Sequence, residues 1–306
     1  MGAIENWVKL QDKHECFFFI ADLHALTSSY DETKMLKNIV KNVVLDLLAA
    51  GIDPKKSVLF RQSYLPEHAE LHLMFSMITP IPWLERVPTY KSKIAELKQK
   101  DLGTYGFLGY PVLQAADILM YKADGVPVGQ DQLPHIELTR EIARRFNHFY
   151  GNVFSEPKEM LTDFSVLPGL DGRKMSKSYH NTIDISDSTE SIRKKVSTMI
   201  TDPARVKKED KGHPEVCSVY EFYKVFGKNR TDTVAQECRA AKRGCVACKN
   251  ELAAVLVDYL EPIHKKRREL GKDPKKLEAV LVEGEKRAKK IAAKTLAEAK
   301  TAMGII

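Results

Sequence analysis

The sequence predicts an α/β protein in two parts: a doubly wound parallel sheet with a helical insertion over residues 1–182, then an all-helical domain over 183–306. Three observations carry that prediction. Cys16-Phe17-Phe18-Phe19-Ile20 is a continuous apolar run closed by Asp22, the pattern of a strand buried on both faces. A stretch with helical spacing and a second strand follow it directly, which makes a strand–helix–strand unit. From Thr189 onward apolar residues recur at helical spacing and no convincing strand remains.

Taken in order, residues 1–11 read as a helix already under way, with no capping residue ahead of it. His24 lies in the turn beyond the carboxyl end of the first strand, where open α/β sheets place their ligands. Asp31 is the expected N-cap of the next helix. Leu36, Ile39, Val40, Val43, Val44, Leu47 and Leu48 supply its apolar face, and Gly51 stops it. Ser57-Val58-Leu59-Phe60-Arg61 is the second strand. Residues 62–123 are mostly helical between Pro66, Pro80, Pro82 and Pro88 and read as an insertion, with Pro111 expected at the start of its last helix.

Asp117 sits in that helix among Ala115, Ala116, Ile118 and Leu119, so it is either an internally satisfied acid or a buried hook for a ligand. Residues 125–132 form a short strand opening into a glycine turn, followed by a helix over 133–149. Unpaired N–H groups at such a helix start can receive a nucleotide, and Asp131 is placed to hold ribose hydroxyls.

The loop Gly172-Arg173-Lys174-Met175-Ser176-Lys177-Ser178 holds two lysines three residues apart, beside small hydroxyls and after Pro168 and Gly169. Two ammonium groups on a mobile loop suit a polyphosphate, because lysine acts as a redirectable point charge. In the helical half, Leu252, Val255, Leu256, Tyr259, Leu260 and Ile263 form one stripe. Asp273-Pro274 starts the final helix. Cys217, Cys238, Cys245 and Cys248 stand in the pattern C-x20-C-x6-C-x2-C and can converge on one metal. Four thiolates serve a 4Fe–4S cluster or zinc; the unequal gaps look less like a zinc ribbon built from paired knuckles. His213 could replace one ligand, and Cys16 belongs to strand packing.

The composition is that of an ordinary globular chain: 306 residues, 43% apolar and 29% charged. A net charge of +7 fits a nucleic-acid partner without requiring one. No apolar run approaches the roughly 18–20 residues that span a bilayer, and residues 1–7 lack the basic and apolar regions of a secretory signal. With five cysteines and no signal, reduced thiols and a cytoplasmic location are expected.

In their order and spacing these stretches resemble the bacterial tryptophanyl-tRNA synthetases, class I enzymes with a Rossmann-like catalytic domain, over essentially the whole chain. The resemblance rests on Asp22-Leu23-His24-Ala25, on residues 110–121, on Val126-Pro127-Val128-Gly129-Gln130-Asp131-Gln132 with His135 and Arg140 after it, on the Lys174 loop and on Ala302-Met303-Gly304. It implies that tryptophan is activated with ATP and Mg²⁺ and then transferred to tRNA(Trp). By position, Asp117 would accept the indole N–H, and Tyr110, Gln114, Val126, Val128 and Gln132 would line the pocket, with His24 near the amino-acid end. Gly129 and Asp131 would receive the nucleotide. Lys174 and Lys177, with Met175 and Ser176 between them, would close on the phosphates, and Lys93 is a further phosphate candidate. The family also implies an anticodon-binding helical domain, a 4Fe–4S cluster on the four cysteines in a subset of its members (zinc being the alternative), and a homodimer built through the insertion. It differs at the front, where the family carries roughly twenty further residues with a HIGH-like motif and the first strand of the sheet. A start codon placed too late is therefore expected, and weak activation by the chain as it stands. A non-catalytic RNA-binding relative is the alternative reading, and a tyrosine-specific enzyme a third.

Overall fold

The computed structural model describes residues 2–88, 90, 91, 94, 102–161, 167–175, 179–227 and 229–306. Residues 2–163 with 273–306 form one compact unit, and residues 164–272 form a second.

The first unit is α/β. After a helix α1 (Gly2–Leu10), strand β1 (Cys16–Ile20) pairs in parallel with β2 (Ser57–Arg61), Cys16 opposite Ser57 and Ile20 opposite Arg61. Between them run α2 (Asp22–Ser29) and α3 (Leu36–Ala50). All five β2 residues are buried. Gly51 ends α3 in the left-handed region at φ +118°, which a glycine enters without steric cost. Asp31 is not its N-cap. A 3₁₀ turn over Thr33–Met35 leads into α3 and leaves the acid outside it.

The insertion supplies α4 (Pro66–Ile78), α5 (Ile81–Glu85) and α6 (Tyr105–Leu119). Thr104 captures the start of α6 by accepting from the Phe107 N–H at 3.2 Å. Pro111 therefore lies inside the helix rather than at its start. Strand β3 (Gly125–Val128) pairs in parallel with β4 (Lys158–Leu161), and α7 (Leu133–Tyr150) connects them. β4 escapes a reading by pattern because Lys-Glu-Met-Leu is largely exposed and neither alternates nor forms an apolar run.

The last helix, α12 (Pro274–Ala302), corrects the predicted domain limits. Grouped by sequence with the helical half, it lies instead along β2 in the α/β unit, where Ala288, Ala292, Leu296 and Ala299 join the core of Val58, Phe60, Phe75 and Phe146. Small residues permit that approach. At Gly284 an added Cβ would overlap the Leu59 carbonyl oxygen and lie 2.6 Å from its carbon. Arg61, nearly buried at the end of β2, pairs with Glu278 at 2.7 Å and Glu285 at 2.6 Å from the same helix.

The second unit is helical, with α8 (Thr189–Thr198), α9 (Ser218–Phe226), α10 (Thr231–Arg239) and α11 (Cys245–Gly271). Ser188 caps α8 by accepting from the Ser191 N–H. Ile192, Val196, Phe222, Tyr223, Leu252, Leu256 and Leu260 form its core. Among the described residues no helix is long and apolar enough to cross a membrane.

Candidate active site

The carboxyl ends of β1 and β2 converge on one polar cluster. Asp22, directly after β1, accepts from the backbone N–H of Ser63 at 2.9 Å and from its hydroxyl, which ties the two strand ends together. His24 on α2, Gln62 after β2 and His68 on α4 all turn toward Asp117 on α6, which is 2% exposed. His24 Nε2 lies 2.7 Å from Oδ2 and His68 Nδ1 2.6 Å from Oδ1. The Gln62 amide donates to both oxygens at 2.8 and 2.9 Å. Burial alone would raise the Asp117 carboxyl; the hydrogen bonds from His24 and His68 outweigh it and hold the group below its usual range. Asp117 is therefore an ionised acceptor surrounded by donors.

Tyr110, two turns earlier on α6, faces His24 edge-on with ring centroids 6.4 Å apart, and its hydroxyl lies 2.8 Å from His135 Nε2 on α7. Gln114 lies between Tyr110 and Asp117 on the same helix, half-buried. Val126 and Val128 on β3 pack with Ile118 and Ile136 in a small apolar cluster next to Asp117 in sequence. The Gln132 amide donates to Asp131 at 3.1 Å in the turn that precedes α7. A Cβ at Gly129 would stand 2.9 Å from Asp131 Oδ1, so a side chain there would displace the Asp131 carboxylate.

Lys174 belongs to the second unit, where its backbone forms a bridge with Pro168. The loop is stapled by Asn181, whose buried amide donates to Asp171 at 2.7 Å and to the Lys174 carbonyl at 3.2 Å. Met175 is anchored against the helical core. Ser176, Lys177 and Lys93 lie outside the described residues.

Cys217, Cys238, Cys245 and Cys248 line a single cavity with Arg205 and Arg243. None is in a disulfide. Burial pushes the thiols of Cys217 and Cys238 up and that of Cys248 to about 11, against the pull of Arg205 on Cys238 and Arg243 on Cys248. Among the described residues no group of three or more Cys, His, Asp or Glu side chains is already arranged as a metal shell. His213 is engaged with Asp202 at 2.8 Å.

Gln62 and His68 were not foreseen. Gln62 follows a strand's carboxyl end, the same signal that singled out His24, while His68 carries no local mark.

The model of the class I tRNA synthetases (W and Y) matches residues 1–261. The chain belongs to this family. The synthetase is 51% identical to the tryptophan–tRNA ligase of Thermotoga maritima, over 100% of its own length and 94% of that protein, and 44% identical to that of Aquifex aeolicus, over 99% and 95%. Among solved structures it is similar to the tryptophanyl-tRNA synthetase of Campylobacter jejuni complexed with ADP and tryptophan. That match has a TM-score of 0.88 at 35% identity and covers 99% of the synthetase and 94% of that chain.

Proposed function

We infer that this synthetase is a tryptophan–tRNA ligase: it activates tryptophan with ATP to tryptophanyl-adenylate and passes the tryptophanyl group to tRNA(Trp), in the cytoplasm. Asp117 carries the reading. An ionised, buried acceptor, with Tyr110 on its own helix and Val126 and Val128 on the neighbouring strand, suits the indole N–H, the one polar atom of that ring.

In the first step a tryptophan carboxylate oxygen attacks the α-phosphorus of ATP and pyrophosphate leaves. In the second a ribose hydroxyl at the tRNA 3′ end attacks the adenylate carbonyl and AMP leaves. No protein nucleophile is needed, so the chain's contribution is positioning and electrostatic stabilisation. Tyr110, Gln114, Val126, Val128 and Gln132 line the tryptophan pocket, and His24 closes it against Asp117. Gly129 and Asp131 receive the nucleotide. Lys174, Met175, Ser176 and Lys177 form the loop that grips the phosphates, with Lys93 as a further contact. Mg²⁺ arrives on the phosphates of ATP and neutralises charge there. Tryptophan-dependent ATP–pyrophosphate exchange, with tyrosine in parallel, tests the reading. Exchange with tyrosine alone would reassign the pocket. Exchange with neither would leave a non-catalytic RNA-binding relative.

The residues around the cysteine cavity fit a metal centre: four thiols share one cavity, and two guanidinium groups beside them partly offset the burial that raises the thiols. Cys217, Cys238, Cys245 and Cys248 would hold a 4Fe–4S cluster in the helical, anticodon-binding part, with zinc as the alternative. Protein purified without oxygen is expected to be brown, and Cys245→Ser to bleach it. Colourless protein containing zinc would select the alternative.

Leu73, Met77 and Ile81 are exposed on α4 and α5 of the insertion, and Leu73 and Met77 share one helix face. This apolar face supports a homodimer. A light-scattering mass equal to one chain, 34.6 kDa, would count against it.

A further inference from the structure

The Asp117 carboxylate has one side toward the partly exposed His24 and one side sealed by His68. On the sealed side His68 is fully buried and fixed at both ring nitrogens: Nδ1 lies 2.6 Å from Asp117 Oδ1, and Nε2 lies 2.8 Å from the Tyr121 hydroxyl. Tyr121 follows Asp117 by about one helical turn, and Phe17 stacks on its ring at 4.7 Å. A ring nitrogen facing a carboxylate carries a proton, so His68 Nδ1–H donates to Asp117. Nε2 then accepts, and the phenol O–H donates to it. Burial, with the charges of Asp117 and Glu67, raises Tyr121 above the ordinary phenol range, so that proton stays in place. On the other side His24 Nε2 reaches Oδ2, and its side chain is 19% exposed whereas that of His68 is 0% exposed.

We propose that His68, its tautomer set by Tyr121, is a specificity-determining positioning residue: it holds Asp117 Oδ1 so that Oδ2 accepts the indole N–H in the place that His24 Nε2 now takes. The proposal rests on the assignment of Asp117 as the tryptophan acceptor.

The physical argument concerns discrimination. A carboxylate turns broadly about its terminal torsion, and in an apolar pocket it tends to take up a proton. A protonated Asp117 could donate a hydrogen bond, and a rotated one could turn its charge aside, so that either would admit a ligand with no N–H. Pinned and ionised, it can only accept. A ring carrying sulfur in place of the N–H would then leave a buried charge without its partner. The groups facing the carboxylate are His24 from α2, Gln62 after β2, and His68 from α4. His72 from α4 feels the charge of Asp117, but burial holds its imidazole below the usual range, and Tyr121 and Glu67 stand behind His68.

The test is ATP–pyrophosphate exchange by the full chain, with tryptophan and with benzothienylalanine, the analogue bearing sulfur for N–H, as a function of pH. His68→Leu, His68→Asn and Tyr121→Phe are compared with wild type. In His68→Leu the KM for tryptophan rises about tenfold or more, with kcat changed less, and the preference for tryptophan over the sulfur analogue shrinks about tenfold, as expected for a lost hydrogen bond to a charge. Removing that donor while keeping the burial raises the Asp117 carboxyl. The acid limb of kcat/KM for tryptophan therefore moves to higher pH. His68→Asn, whose amide can donate to Asp117 and accept from Tyr121, restores most of the preference. Tyr121→Phe shifts preference and acid limb in the same direction by a smaller factor, about threefold.

Wild-type preference and an unmoved acid limb in both His68→Leu and Tyr121→Phe overturn the proposal. If His68→Leu does not fold, Tyr121→Phe decides by the same two readouts. Where wild type binds tryptophan without measurable exchange, the preference is read from binding; wild-type protein that neither exchanges nor binds tryptophan rejects the parent assignment instead, and the role of His68 with it.

Discussion

Asp117→Asn is expected to lower kcat/KM for tryptophan by roughly 10²- to 10³-fold, about 3–4 kcal/mol at 1.4 kcal/mol per tenfold. The size follows from the donors already in place. His68 Nδ1–H claims one oxygen of residue 117, so the new amide oxygen is drawn to that side and the NH₂ group is turned toward Oδ2's position. That position is where the indole N–H must be accepted, and two donors would then meet in a site that excludes water. Substrate and transition state are expected to lose the contact alike, so KM rises more than kcat falls. Exchange kinetics on Asp117→Asn measure this directly. A kcat/KM within about fivefold of wild type would show that the acceptor lies elsewhere.

Gly284→Ala is expected to destabilise the protein although alanine is the better helix former by about 1 kcal/mol. Two effects of opposite sign compete. Helix propensity favours alanine, but its Cβ would overlap the Leu59 carbonyl oxygen and sit 2.6 Å from Leu59 C. That carbonyl belongs to backbone, not to the end of a flexible side chain, and Leu59 is itself held opposite Phe18 in the strand pair. α12 must therefore move off β2, which strains the packing of Ala288 and Ala292 against Val58 and Phe60. Such overpacking costs about 1–3 kcal/mol or more, and the steric effect wins. At about 2–4 °C per kcal/mol, the melting temperature falls by several degrees. Thermal unfolding followed by circular dichroism checks the sign; an unchanged or higher melting temperature would refute the steric account.

Where the sequence was legible, a single local pattern sufficed. β1 is an uninterrupted apolar run and β2 has an apolar centre, Gly51 marks the end of α3, and Asp273 caps α12 by accepting from the Lys276 N–H. The carboxylate of Asp117 could be named because an acid among alanines and leucines demands an explanation. Its partners could not, because Gln62 and His68 reach it across 55 and 49 residues of chain and meet it only once the helices pack. The same limit explains α12. Its stripe of alanines and leucine fits any apolar surface equally well by pattern, and the decision to lie on β2 is made by Gly284 and by Arg61, residues far apart in the chain. β4 was illegible for a different reason: an exposed four-residue strand is specified by its pairing with β3, not by its own residues.

The placement of α12 also sets an order of events during synthesis. The strand it covers is made early and the helix itself last, with the whole of the second compact unit between them. A growing chain on the ribosome must carry Val58 and Phe60 uncovered while residues 164–272 emerge and fold, and it seals that surface only as the final helix leaves the exit tunnel. A premature stop between residues 272 and 274 would leave the helical stretch complete in sequence but β2 without the helix that covers it, a surface open to aggregation.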